Sequence, residues 1–417
     1  MAKYRIIGNM TGNSMDAIDL VLTEFDGEAM TDICSFSTPY NRDMQKKMRD
    51  LRAQCFNKTK NEILALPEFD AVHDEYIRQI ADSIKKMLQK YHLAPETIDA
   101  IGFHGKTLDH NPPSKSPQPY TLQIGSGQML ADLTGIKVVY DFRSDYILNG
   151  YEGAPLVPPH NAHISAIEGD GCYYNGGNTS NFALIHNKQP LLGTDSGPCN
   201  EYIDDYIRQY TDLMFDDNGR IGQQGQINFS LLQKLFDFGR DFYEMQLPKS
   251  GDPAYYKKEE IFAYIQTLSL PLADVVRTLE YFSAYIAVYT LGLVPQNIPM
   301  TSHFILFGGG WKNPIIKNDF ISLLNHQAYI LPEHKNNFIR LSERIISPDI
   351  RFSNFGTYME ARLMADMAYH RLQNKVWPLP EILRSGDNIL SGVIAVPERN
   401  RVSYSDKINR AAKNSLL

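Results

Sequence analysis

Four side chains in this sequence stand where they could act on a bound molecule: Asp195, His104, Arg143 and Glu360. Asp195 belongs to Gly193-Thr194-Asp195-Ser196-Gly197-Pro198-Cys199-Asn200 and follows the apolar run Pro190-Leu191-Leu192, which places a carboxylate at the mouth of a strand. The turn signalled by Gly197 and Pro198 would release it toward a ligand between two lobes; the plain alternative is an Asp that bonds turn amides. His104-Gly105-Lys106-Thr107 follows the apolar run 98–103, at the edge where ligands of open α/β sheets sit, although a lone His in a turn is often structural. Arg143, in Asp141-Phe142-Arg143, could hold a carboxylate or phosphate through its planar fork or simply pair with Asp141 or Asp145. Glu360 opens a helical pattern and, on pattern alone, reads as a solvated charge.

Three glycine-rich loops add groups suited to a nucleotide. Gly8-Asn9-Met10-Thr11-Gly12-Asn13-Ser14-Met15-Asp16 lies between two strand patterns and can aim amides and hydroxyls at a phosphate. It is not a Walker loop, because G-x-x-x-x-G-K-[ST] is absent, and an ordinary hairpin is its alternative. Asn175-Gly176-Gly177-Asn178-Thr179-Ser180 repeats the strand, polar loop, strand arrangement in the second half. Gly308-Gly309-Gly310 follows a buried strand and lets backbone approach a flat ligand such as adenine, or forms a plain flexible turn.

The elements that must position these groups read as alternating strands and helices. Residues 4–7 and 17–25 are expected strands, 41–57 and 62–91 helices, and 98–103, 121–124 and 137–140 further strands. Residues 149–159, rich in Gly and Pro, mark the crossing into a second domain. Helices are expected at 230–245, at 257–292 with a break near Pro271, and at 355–372, and a last strand at 389–396 precedes a polar tail. The expected division is a first lobe over 1–160, rejoined by 375–417, and a second over 161–374.

Composition narrows the function. The 417 residues carry a net charge of -7, with 43% hydrophobic and 21% charged residues, which describes a globular protein without a general polyanion-binding surface; no nucleic acid is expected as partner. The four cysteines form no C-x-x-C pair, and the amino terminus reads directly into a strand. No segment reads as a membrane span, and a cytoplasmic location is expected.

Several of these stretches, in shared order from about residue 7 to 397, resemble the anhydro-N-acetylmuramic acid kinase family. The opening G-x-M-S-G-T-S-x-D-G-x-D of that family stands here as residues 8–19, H-G-Q-T as His104-Gly105-Lys106-Thr107, and Q-I-G-D as Gln123-Ile124-Gly125-Ser126. D-F-R is intact at 141–143, G-A-P-L-V-P at 153–158, and D-T-G-P-G-N stands as Asp195-Ser196-Gly197-Pro198-Cys199-Asn200. Pro248-Lys249-Ser250, the three glycines with Asn313-Pro314, and Glu360-Ala361 complete the series.

The resemblance implies an α/β, two-domain actin-like ATPase fold of the ribonuclease H-like kind, with a nucleotide cleft between the lobes. It implies a cytosolic sugar kinase that uses ATP and Mg²⁺ to open the 1,6-anhydro ring with water while phosphorylating the 6-oxygen, giving N-acetylmuramate 6-phosphate. In that reading Asp195 is the general base; Gly8, Met10, Thr11, Gly12, Asn13, Ser14, Asp16, Asn175, Gly177, Gly308, Gly309 and Gly310 lie on the nucleotide; Asp16 is the metal candidate; and His104, Arg143 and Glu360 face the sugar. A homodimer is also implied.

The sequence departs from the family pattern at Thr11, Asn13, Ala17, Lys106, Ser126, Tyr151, Glu152, Ser196 and Cys199, and Gly251-Asp252-Pro253-Ala254 replaces T-G-R-E. These changes admit a kinase of the same fold for another sugar. A nucleotide-binding switch without chemistry is the reading from a different class.

Overall fold

Two sheets with the same strand order organise the chain. The computed structural model describes residues 3–12, 15, 17–251, 253–379 and 389–398. Its contacts form two units, one of Met1–Gly153, Glu360–Trp377 and Asp387–Leu417, the other of Ala154–Met359 and Pro378–Gly386.

In the first unit, β1 (Tyr4–Thr11), β2 (Ala17–Asp26) and β3 (Ala29–Pro39) make an antiparallel meander, the turn between the last two set by Gly27 at φ 63°. β4 (Ala100–Phe103) lies parallel to β1. β5 (Lys106–Asn111) and β6 (Tyr120–Ile124) pair separately as a small antiparallel ribbon. β7 (Val138–Tyr140) lies parallel to β4, and the strand Val393–Ala395 returns antiparallel beside it. The helix Phe69–Lys90 keeps Ile77, Ile80, Ile84 and Met87 at helical spacing and buries all four in the same core as Ile7, Leu20, Leu22 and Ile101.

Gly8 and Gly102 are register partners on β1 and β4, and together they make a groove for the helix Met359–Leu372. A Cβ on Gly8 would lie 1.8 Å from the carbonyl oxygen of Ala361, and one on Gly102 would lie 2.0 Å from that of Met364. Only glycine permits this approach, and it brings the helix into the first unit from Glu360 onward, ahead of the expected return at 375.

In the second unit, β8 (Gly171–Gly176), β9 (Thr179–His186) and β10 (Gln189–Pro198) form the meander, β11 (His303–Phe307) runs parallel to β8, and β12 (Asp349–Phe352) parallel to β11. The first five strands of each sheet thus run third, second, first, fourth, fifth, with only the second of them reversed, the ribonuclease H-like order; the first sheet adds Val393–Ala395 antiparallel at its edge. The helix Leu272–Leu291 is the centre of this unit's core, buried continuously from Thr278 to Leu291. Pro271 separates it from Lys258–Thr267, as the sequence indicated.

Three boundaries differ from the sequence reading. Residues 8–11 belong to β1 rather than to a loop, β10 runs through Asp195 to Pro198, and Lys106 opens β5. In each case pairing to a neighbouring strand overrides the local Gly and Pro signals. Among the described residues no helix is long and apolar enough to cross a membrane.

Candidate active site

Asp195 sits at an irregularity of β10. The register against β9 shifts between Asp195 and Gly197, so Ser196 is an extra residue, and a bulge of this kind re-aims the side chain beside it. Ser196 turns inward to the Tyr174 hydroxyl, while Asp195 keeps part of its surface open. The segment 249–251 clamps the acid from the side. The Asp195 N–H donates to the Lys249 carbonyl at 2.9 Å, the Lys249 N–H donates to Thr194 Oγ1 at 3.0 Å, and the Gly251 N–H donates to Asp195 Oδ2 at 2.7 Å. Burial pushes the Asp195 carboxyl up to about 6, against the pull of the Gly251 N–H, the Lys249 charge and the Ser250 hydroxyl. Such a group is ionised at neutral pH and basic enough to accept a proton.

Lys249 is buried, its ammonium donating to the Tyr243 and Phe242 carbonyls at 2.8 and 3.2 Å and lying 4.7 Å from the centre of the Phe242 ring. Burial lowers it to about 7, so its charge beside Asp195 is adjustable near neutrality.

The tip of the β8–β9 hairpin, the glycine turn and the start of the helix Asn200–Tyr210 converge in the same unit. The Cys199 and Asn200 N–H groups donate to the Asn178 and Gly177 carbonyls at 2.7 and 3.0 Å. Gly308 has φ 94°, and a Cβ there would meet Asn175 Oδ1 at 2.5 Å; one on Gly310 would meet Cys199 Sγ at 2.6 Å. Trp311 fixes the far end of the turn by donating from Nε1 to the Tyr174 carbonyl at 2.9 Å. Asn175, Gly177, Gly308, Gly309 and Gly310 are therefore gathered at one sheet edge.

In the first unit, His104 leaves β4 and meets Arg143, which follows β7. Asp141 at φ 56° turns the chain there and accepts from the Ser144 N–H at 3.3 Å. Arg143 Nε donates to His104 Nε2 at 3.0 Å and Nη1 to the Gly153 carbonyl at 2.7 Å. A guanidinium can only donate, so His104 carries its proton on Nδ1, which donates to the Gly105 carbonyl at 2.9 Å. Burial, then the Arg143 charge, lowers the imidazole to about 3 and keeps it neutral. Burial lowers Arg143 itself to about 10. Lys106, 3% exposed, donates to the Gly12 carbonyl at 3.0 Å, and burial lowers it to about 8. Glu360 opens outward at its helix start; the protein around it pushes its carboxyl up while Lys106 and Arg143 pull it down. His104, Arg143, Lys106 and Glu360 form one electrostatic set.

The first hairpin supplies less side-chain chemistry than its sequence suggested. The Thr11 hydroxyl is buried against those of Tyr40 and Tyr76, at 2.9 and 3.3 Å, leaving the backbone of Gly8, Met10, Thr11 and Gly12 as the candidate surface. Asn13, Ser14 and Asp16 lie outside the described residues. Among the described residues no group of three or more His, Cys, Asp or Glu side chains could hold a metal ion. Sequence reasoning missed Glu280, an acid inside the apolar helix whose only signal was its setting among Leu279, Tyr281 and Phe282.

Comparison with known sequences places the chain in a family. The family described as "Anhydro-N-acetylmuramic acid kinase" matches residues 4–336. A protein of that name from Nitrobacter winogradskyi is 31% identical over 315 residues, 74% of this chain and 81% of its own. Another, from Photobacterium profundum, is 28% identical over 387 residues, 92% of this chain and 96% of its own. The chain belongs to the anhydro-N-acetylmuramic acid kinase family.

Proposed function

We propose that the protein opens 1,6-anhydro-N-acetylmuramic acid with water and transfers the γ-phosphoryl group of ATP to the 6-oxygen, yielding N-acetylmuramate 6-phosphate and ADP. The observation that carries this reading is Asp195, a partly open carboxylate raised to about 6 and oriented by the Gly251 N–H. Asp195 takes a proton from water as the water oxygen bonds to the anomeric carbon. The bond from that carbon to O6 breaks, and O6 takes the phosphoryl group in place of a proton. Opening and phosphorylation are thus one balanced exchange.

The other residues position the reactants. Arg143, held by His104 and Gly153, offers charge to the acidic sugar, and Glu360 accepts from its hydroxyls or amide. Asn175, Gly177 and the glycine turn 308–310 support adenine and ribose, while the backbone of 8–12 faces phosphate. Mg²⁺ fits a site with one protein carboxylate, for which Asp16 is proposed, because this ion relies on phosphates and water rather than a ready-made cage. When bound it neutralises phosphate charge.

Protein mixed with ATP, Mg²⁺ and the anhydro sugar is expected to release ADP and a phosphorylated reducing sugar in equal amounts; no ADP release with an active nucleotide-binding protein would overturn the reading. A kinase for another sugar is the second reading, favoured by the buried Lys106 cation beside Glu360 where the family pattern has Gln. Turnover of a panel of amino and anhydro sugars separates the two.

A further inference from the structure

Glu280 is fully buried in the middle of the helix Leu272–Leu291. Its Oε1 accepts from Asn313 Nδ2 at 2.7 Å. Its Oε2 receives no N–H and lies so near the backbone that a Cβ on Gly222 would come within 1.8 Å of it. The group that faces it is the carboxyl of Asp216, which accepts from the Ile221 N–H at 2.9 and 3.1 Å and from the Gly222 N–H at 2.8 Å. The Ile221 and Gly222 amides already supply donors to Asp216, whereas Glu280 Oε2 has none, so the proton that lets the two carboxyls adjoin is placed on Glu280. Burial, then the Asp216 charge, pushes Glu280 up to about 8 against the Asn313 hydrogen bond. Arg277, from the same helix, pulls the other way, but its guanidinium is committed to Asp319 at 2.6 and 2.8 Å.

Asn313 connects this pair to the glycine turn. Its Oδ1 accepts from the Ile315 N–H at 2.9 Å and caps the helix Pro314–Leu324, which fixes the amide orientation and directs Nδ2 to Glu280. Its own N–H donates to the Gly310 carbonyl at 3.1 Å.

We propose that Glu280 and Asp216 form a proton-sharing clamp that holds Asn313, and through it the turn 308–310, in the shape that receives the nucleotide. These are positioning residues, and their role rests on the nucleotide assignment made above. Glu280→Ala removes the hold on Asn313. Glu280→Gln keeps an oxygen for Asn313 and offers an N–H to Asp216.

The test measures ATP KM, sugar KM, kcat and amide hydrogen exchange of 308–315 in the full chain, from pH 6 to 9. Glu280→Ala is expected to raise ATP KM about tenfold, leave sugar KM and kcat within about twofold, and speed exchange in the turn. In the wild type, ATP KM is expected to climb as pH rises through about 8 and Glu280 ionises, and in Glu280→Gln to stay flat. If Glu280→Ala does not fold, the two pH series decide alone. Unchanged exchange in Glu280→Ala, or identical pH series in wild type and Glu280→Gln, overturns the clamp. Faster exchange with unaltered ATP KM overturns the nucleotide assignment of the turn while leaving the clamp's mechanics in place.

Discussion

The two units use one strand order to opposite electrostatic ends. At the sheet edge of the first, His104 follows β4, Lys106 opens β5 and Arg143 follows β7, giving a neutral imidazole, a buried cation and a half-buried one, with Glu360 as their counter-charge. At the corresponding edge of the second, Asp195 stands at the bulge of β10 as an acid raised to about 6, and Lys249 is the cation beside it. Topology decides where side chains emerge, and burial decides what charge they carry there. This contrast fits the proposed roles, the first unit holding an anionic or hydroxyl-rich ligand and the second moving a proton.

The largest effect should come from the proton-moving side. Asp195→Asn retains the shape and the Gly251 contact but cannot accept a proton, so kcat is expected to fall about a thousandfold while ATP affinity changes little. Turnover within tenfold of wild type, measured by ADP release, would make the acid a structural one and erase the contrast between the units. The holding side should respond differently. Arg143→Ala removes two donated hydrogen bonds and leaves His104 Nε2 and the Gly153 carbonyl without them, so sugar KM is expected to rise about a hundredfold with a smaller change in kcat. Arg143→Lys should not rescue it, since one ammonium cannot reach both partners in the same geometry.

A still smaller effect tests how the first unit places Glu360. Gly102→Ala puts a methyl group 2.0 Å from the Met364 carbonyl oxygen, so the helix must back away from the sheet. Stability should drop by about 1–3 kcal/mol, and sugar KM should rise about tenfold with ATP KM unchanged. A thermal melt and the two Michaelis constants check this; equal changes in both would show a general loss of structure.

That groove also shows what the sequence could and could not reveal. Helical spacing in 69–90 and alternation in 17–25 announced themselves, because a periodic apolar face is a local property. Asp195 and the glycine loops were legible for a similar reason: each sits in a short run of distinctive residues. The pairing of Gly8 with Gly102, and of both with a helix more than 250 residues later, has no local trace. The same holds for the segment 249–251 against Asp195, for the inward turn of the Thr11 hydroxyl, and for Glu280, which local pattern could present only as an acid in an apolar helix. Such contacts are set by tertiary packing, which overrides the signals of the few residues on either side.

The finest test of the comparison concerns Lys249, whose ammonium is buried against the Phe242 and Tyr243 carbonyls beside the acid. Its ammonium charge lowers the Asp195 carboxyl, while burial of the pair works against both charges. Lys249→Met keeps much of the volume and removes the charge, so Asp195 should titrate higher than about 6. In the proposed mechanism activity needs the ionised acid, which is present above that value and lost as pH falls through it. The acid limb of kcat/KM should accordingly move to higher pH in Lys249→Met, and turnover at pH 6 should fall by less than about tenfold, the change produced by one unit. The Phe242 and Tyr243 carbonyls lose a donor, so the melting temperature should drop as well. The direction of the limb separates the two roles: a lysine that merely fills space would lower stability and leave the limb in place, whereas a lysine acting through charge must shift it upward.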